Sequence, residues 1–195
     1  MNQWWQLWEQ YFSEEECDKI IELGMLRSAR EASIGHGGVG RTDSNVRRST
    51  LRWLDRRDED LWWMINRIEH AFQFANCNAF QFELSYFKEI QFTEYNSEDE
   101  GKYDWHEDIS WTKNGPSRRK LSIVVQLTDP HAYTGGDLEL YARTCGGDDQ
   151  VPKAKGLRSR GTVLVFPSFL RHRVTPVLKG TRHSLVSWYE GPPFR

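Results

Sequence analysis

The chain has 195 residues, which suits a single domain with a sizeable core. It carries 26 Lys and Arg against 28 Asp and Glu, a net charge of -2, so no nucleic-acid backbone is expected as its partner. Nine Trp and an aromatic content of 13% imply a core built from a few large side chains and exclude intrinsic disorder.

The N-terminal stretch carries Trp4, Trp5, Trp8 and Glu9 in place of a basic and then apolar leader. No apolar run reaches the roughly 18 residues of a spanning helix. Cys17, Cys77 and Cys145 are odd in number, far apart and outside any C-x-x-C pattern, which argues against a disulfide framework or thiolate zinc site. Together these features predict a soluble, cytoplasmic protein without a membrane partner.

Ser13-Glu14-Glu15-Glu16 is a capping box ahead of Cys17, Ile20, Ile21 and Gly24, whose spacing gives one inward helical stripe ending near Gly24 to Arg27. Gly35 to Thr42 imitates a phosphate-binding loop, but Arg41 stands where Lys is required, and neither the strand before it nor the helix after it is present. The stretch from Gly35 to Arg48, with glycines that permit motion and positive charge from Arg41, Arg47 and Arg48, is either a lid over a substrate or a solvated connector. A second helix follows the charged run Asp55 to Asp60, with Leu61, Ile65, Ile68 and Phe72 on one face, and stops around Asn76 to Asn78.

From Ala79 the period becomes two: Phe80, Phe82, Leu84 and Tyr86 alternate with polar neighbours, as do Ile90 and Phe92. Further strands are expected at Leu121 to Leu127, Asp137 to Tyr141, Thr162 to Phe166, Arg173 to Val177 and Arg182 to Tyr189. Turn signals such as Thr134-Gly135-Gly136-Asp137 separate them. The fold class is α+β, mainly β: an antiparallel sandwich or jelly roll on supporting helices. One domain is expected, with helical support and a loop in residues 1–78 and the β core in 79–190.

His106 and Asp108, at i and i+2 of an extended segment, share a face and can grip one ion, while Glu107 points away. His172 opens another strand and offers a third ligand. Two imidazoles and a carboxylate leave coordination positions open and suit Fe(II) better than structural zinc. An isolated H-x-D also occurs as a surface ion pair. Arg182 lies in an apolar alternating strand, where an unpaired guanidinium is costly; it calls either for a buried Asp or Glu or for a dicarboxylic cosubstrate.

The chain resembles the Fe(II)- and 2-oxoglutarate-dependent dioxygenases, in their prolyl 4-hydroxylase-like branch. The resemblance runs through Tyr95, Tyr103 to Asp108, Leu121 to Leu127, Tyr133 to Leu138, His172 to Val177 and Gly180 to Leu185. It implies a double-stranded β-helix with Fe(II) on His106, Asp108 and His172, and with 2-oxoglutarate anchored by Arg182. Tyr95 matches the family tyrosine that bonds the cosubstrate, Gln126 occupies a strand position facing it, and Ser184 shares the face of Arg182. O2 is the oxidant, and ascorbate a possible reductant. The expected reaction hydroxylates an unactivated C–H bond, of a prolyl or other residue in a protein or peptide or of a free amino acid or small metabolite. A non-catalytic jelly-roll binding protein and a metal-dependent hydrolase are the competing classes. His36, His70 and His131 have no partner at ligand spacing, and His183, next to Arg182, should face the opposite side of its strand. Trp188, beside the Arg182 strand, is a candidate for the substrate entrance.

Overall fold

The computed structural model describes residues 4–32, 43–111, 115–143, 149–150 and 156–194. A short strand β1 (Gln6–Trp8) precedes helix α1 (Glu14–Met25). The capping box is formed: the Ser13 hydroxyl accepts the Glu16 N–H at 3.2 Å, and the Glu16 carboxylate accepts the Ser13 N–H at 2.8 Å. Strands β2 (Arg30–Glu31), β3 (Arg47–Arg48) and β4 (Thr50–Leu54) follow, then α2 (Trp62–Ala75), which ends in a wide π turn (Asn76–Phe80). The β core comprises β5 (Tyr86–Asn96), β6 (Lys102–His106), β7 (Arg118–Gln126), β8 (Thr134–Gly135) and β9 (Leu138–Arg143). It continues with β10 (Asp149–Gln150), β11 (Val163–Pro167), β12 (Arg171–Val174), β13 (Val177–Lys179) and β14 (Thr181–Gly191).

These strands form a large antiparallel sheet, ordered β1-β11-β7-β14-β5-β4-β2, a smaller one, β10-β9-β12-β6-β3, and the pair β13-β8. Period-two alternation gives the large sheet two buried faces. Ile90, Phe92, Leu121, Ile123, Val125, Val163 and Leu185 face α1 and α2, packing with Cys17, Ile20, Ile65, Ile68 and Phe72. Tyr95, Val124, Leu164 and Phe166 belong to a second cluster, with Leu138, Leu140 and Val174 of the smaller sheet. Gly24 is the close-approach point of α1, since a Cβ there would lie 2.5 Å from the Phe92 ring.

Three expectations change. Residues 80–85 are not strand: Phe80 closes the π turn and Gln81 is left-handed at φ 54°. The Asn76 side chain holds the Phe82 N–H and C=O at 2.8 and 2.9 Å. Phe80 and Phe82 stack at 6.0 Å, and Phe82 meets Phe169 and Phe194, so their alternation comes from an aromatic cluster rather than from a pleat. The first 78 residues contribute strands as well as helices, with β1, β2 and β4 extending the large sheet. The single strand expected over Arg173 to Val177 is two, β12 and β13, separated at Thr175-Pro176. Residues 33–42, most of the expected lid, and Cys145 lie outside the described residues, whereas Cys17 and Cys77 are free thiols.

Candidate active site

His106 ends β6 and stands directly opposite His172 of β12 in the register of the smaller sheet. Their ring centroids are 4.2 Å apart. Asp108 lies two residues beyond the strand: its N–H and that of Ile109 both donate to the Ser168 carbonyl, at 2.9 and 3.2 Å. A turn held by the loop before His172, rather than a shared strand face, therefore brings its carboxylate to the two rings.

Asp108 Oδ1 is 3.8 Å from His106 Nε2, and Oδ2 is 3.6 Å from His172 Nε2. One donor atom from each of the three residues lies within 4.8 Å of the others. These gaps exceed hydrogen-bond length and suit donors arranged around a common centre. The remaining ring nitrogens are engaged, His106 Nδ1 with the Asp104 carbonyl at 2.8 Å and His172 Nδ1 with the Leu170 carbonyl at 2.9 Å. Because a carbonyl only accepts, each Nδ1 carries the proton and each Nε2 lone pair faces inward.

Asp108 Oδ2 also accepts the Ser122 hydroxyl at 2.7 Å, and Ser122 is 2.9 Å from the Ser168 hydroxyl. Burial, and next His172, push the His106 imidazole well below its ordinary value. Burial opposes ionisation of Asp108, but His172, His106, Arg119 and the Ser122 hydroxyl outweigh it and hold the carboxyl below the usual range. A His106 imidazole that resists protonation, beside an Asp108 carboxyl that favours its charged form, suits a divalent ion, and the three residues fit one.

The second constellation lies on the inner face of the large sheet. Arg182 is 1% exposed. Its Nη2 donates to Gln126 Oε1 at 2.9 Å, its Nη1 reaches Ser184 Oγ at 3.5 Å, and its Nε has no partner. Tyr95 is opposite Arg182 in the register, with its ring 5.3 Å from the guanidinium carbon. The structure thus brings together Arg182 and the three residues singled out around it, and among the described residues none offers it a carboxylate within 4.0 Å. The buried Asp or Glu considered from the sequence is not found among the described residues.

Near these groups, Ser122, Tyr103 and Arg119 were given no role by the sequence, and Arg47 entered only as a positive charge of the stretch Gly35 to Arg48. Ser122 had a signal, a small polar residue in the apolar run Leu121 to Leu127, at the same parity as Gln126. Tyr103 stacks on His106 with centroids 3.4 Å apart, Arg47 lies 4.3 Å over Tyr103, and Arg119 lies 3.6 Å over Trp188. Trp188 is buried, and its indole N–H has no partner. His183 is on the opposite face from Arg182, stacked on Phe92, and Glu107 is exposed and accepts from the Trp111 indole at 2.9 Å, both as expected.

A model of the 2OG-Fe(II) oxygenase superfamily matches residues 90–190, a span that holds the triad and the Arg182 group. The chain belongs to this superfamily. A PKHD-type hydroxylase of Synechococcus sp. (strain CC9605) is 40% identical over 89 residues, covering 45% of this chain and 36% of that protein. Another, from Gloeothece citriformis (strain PCC 7424), is 41% identical over 73 residues, covering 37% and 30%. The chain spans about a third of the length of these curated relatives.

Among solved structures, a Pseudomonas putida prolyl-4-hydroxylase superposes with a TM-score of 0.71 at 19% identity, over 97% of this chain and 94% of that one. A Trichoplax adhaerens prolyl hydroxylase, in complex with a hypoxia inducible factor oxygen degradation domain peptide fragment, gives 0.73 at 14% identity, over 95% and 83%. At these identities the likeness shows a shared fold, the jelly roll. No helix among the described residues is long and apolar enough to cross a membrane.

Proposed function

We propose that this protein is an Fe(II)- and 2-oxoglutarate-dependent dioxygenase that hydroxylates an unactivated C–H bond, in a prolyl or other residue of a protein or peptide. His106, Asp108 and His172 hold the iron. Arg182 binds the distal carboxylate of 2-oxoglutarate through a charge-assisted pair, and Tyr95, Gln126 and Ser184 fix the fork that makes it. Bound there, Fe(II) and 2-oxoglutarate supply the oxidising chemistry: with O2, 2-oxoglutarate leaves as succinate and CO2, and the second oxygen atom enters the C–H bond. The chain binds, orients and keeps water away, and needs no general base.

The observation that carries this reading is Arg182, a buried guanidinium with a free N–H edge and no carboxylate partner among the described residues, on the sheet face that also supports Asp108 through Ser122. A non-catalytic binding protein has no need of both constellations. The peptide-bound neighbour supports a protein or peptide substrate, and the free thiols support a reducing cytoplasm.

The test is succinate formation from 2-oxoglutarate with Fe(II), O2 and ascorbate, first without substrate and then with a proteome lysate scanned by mass spectrometry for gain of one oxygen. Succinate that depends on Fe(II) supports the reading. Its absence under all these conditions contradicts it.

A further inference from the structure

Resting on the dioxygenase reading, a second question is what the substrate must carry. Two arginines flank the triad, one from each sheet. Arg47 of β3 is 7% exposed; its Nε donates to Ser49 Oγ at 2.9 Å and its plane lies 4.3 Å over Tyr103, the ring stacked on His106. Arg119 of β7 lies 3.6 Å over Trp188, whose register partner is Ser122, the residue that holds Asp108.

Their neighbours show what satisfaction looks like. Arg48 pairs with Glu100 at 2.9 Å and Arg52 with Glu94 at 3.3 Å. Among the described residues, neither Arg47 nor Arg119 has a carboxylate within 4.0 Å. Nor can the chain just ahead of them supply one, because residues 33–42 and 112–114 contain no Asp or Glu. Burial lowers the Arg119 pKa in spite of Asp108, Glu190 and Glu89, and Asp108, the acid it feels most, is the one a divalent ion would claim. With 2-oxoglutarate shared between the ion and Arg182, two cations remain, each held by an aromatic face that leaves its donor edge free.

We infer that Arg47 and Arg119 determine specificity by recognising a carboxylate on the substrate, close to the carbon that is oxidised. That carboxylate comes either from an acidic side chain in a peptide or from the α-carboxylate of a free amino acid.

The test uses the full chain with Fe(II), ascorbate and saturating 2-oxoglutarate. One arm compares capped peptides Ac-Gly-X-Glu-Gly-NH2 with their Gln counterparts, X being each common amino acid. The other compares free amino acids with their amides. Gain of oxygen is followed by mass spectrometry, and binding to the Mn(II)- and 2-oxoglutarate-loaded protein by calorimetry. The expected result is a preference of about tenfold or more for the carboxylate member in one arm, which names the source. In the Arg47→Gln/Arg119→Gln double variant the ratio should fall to within about twofold of unity, and a ratio is insensitive to partial misfolding.

Equal use of acid and amide, a ratio preserved in the double variant, or no binding of any carboxylate probe overturns the inference. Wild-type protein that forms no succinate from 2-oxoglutarate indicts the dioxygenase reading instead.

Discussion

On the helix side of the large sheet, β7 presents Leu121, Ile123 and Val125, and β14 presents Leu185 and Tyr189; on the other side the same two strands present Ser122, Gln126, Arg182 and Ser184. All are buried, so burial does not separate them, and what differs is the partner. The outer set meets α1 and α2 and returns free energy at about 25 cal/mol per Å² of apolar area. The inner set keeps polar atoms out of water with an incomplete complement of protein partners, which is costly unless something else arrives. Leu121, Ile123, Val125, Leu185 and Tyr189 hold the fold together, whereas Ser122, Gln126, Arg182 and Ser184 prepare a site at the expense of stability.

The largest effect that sharpens this contrast is expected from Asp108→Ala. Removal of the only anionic ligand should weaken Mn(II) binding by more than about 100-fold, beyond the loss for residues that merely orient ligands, and abolish the metal-induced rise in Tm. Glu107→Ala should keep both, and the reverse pattern would mean the wrong carboxylate faces the histidines.

On the helix side, Phe92→Ala should cost about 3–5 kcal/mol in urea unfolding, because Phe92 fills the space under Gly24. Unchanged stability would break the assignment of that face.

Arg182→Met should separate the two properties in one substitution. It should weaken 2-oxoglutarate binding by about 2–5 kcal/mol while leaving the unliganded protein as stable or more stable, since an incompletely partnered buried charge is gone. Arg182→Lys should recover part of the binding, because it keeps the charge without the fork. A destabilised Arg182→Met with normal cosubstrate binding would make Arg182 an element of the fold only. The smallest expected effect is that of Ser122→Ala, which removes the hydroxyl from Asp108 and should weaken Mn(II) binding by about tenfold with folding stability nearly unchanged.

Much of this contrast was legible in the sequence where spacing carries it. Ser13 and Glu16 form their reciprocal cap, and the parity that puts Ser184 on the face of Arg182 is observed. Cross-strand identity is not written in spacing. That His172 lies opposite His106, and that Asp108 reaches them through a turn pinned by Ser168, depends on register between segments far apart in the chain. Arg119 was invisible for the same reason, and Arg47 was legible only as a positive charge of the stretch Gly35 to Arg48, as the aromatic faces that seat them come from other strands. Phe80 to Phe82 misled because ring contacts imitated a pleat.

The most direct measurement is calorimetric titration of 2-oxoglutarate into the protein with and without Mn(II), in wild type and in Arg182→Met. The account predicts tight binding that requires the metal and is lost in the variant, because the ion and the buried guanidinium hold opposite ends of one dicarboxylate. Binding that is indifferent to Mn(II), or retained in Arg182→Met, would contradict it.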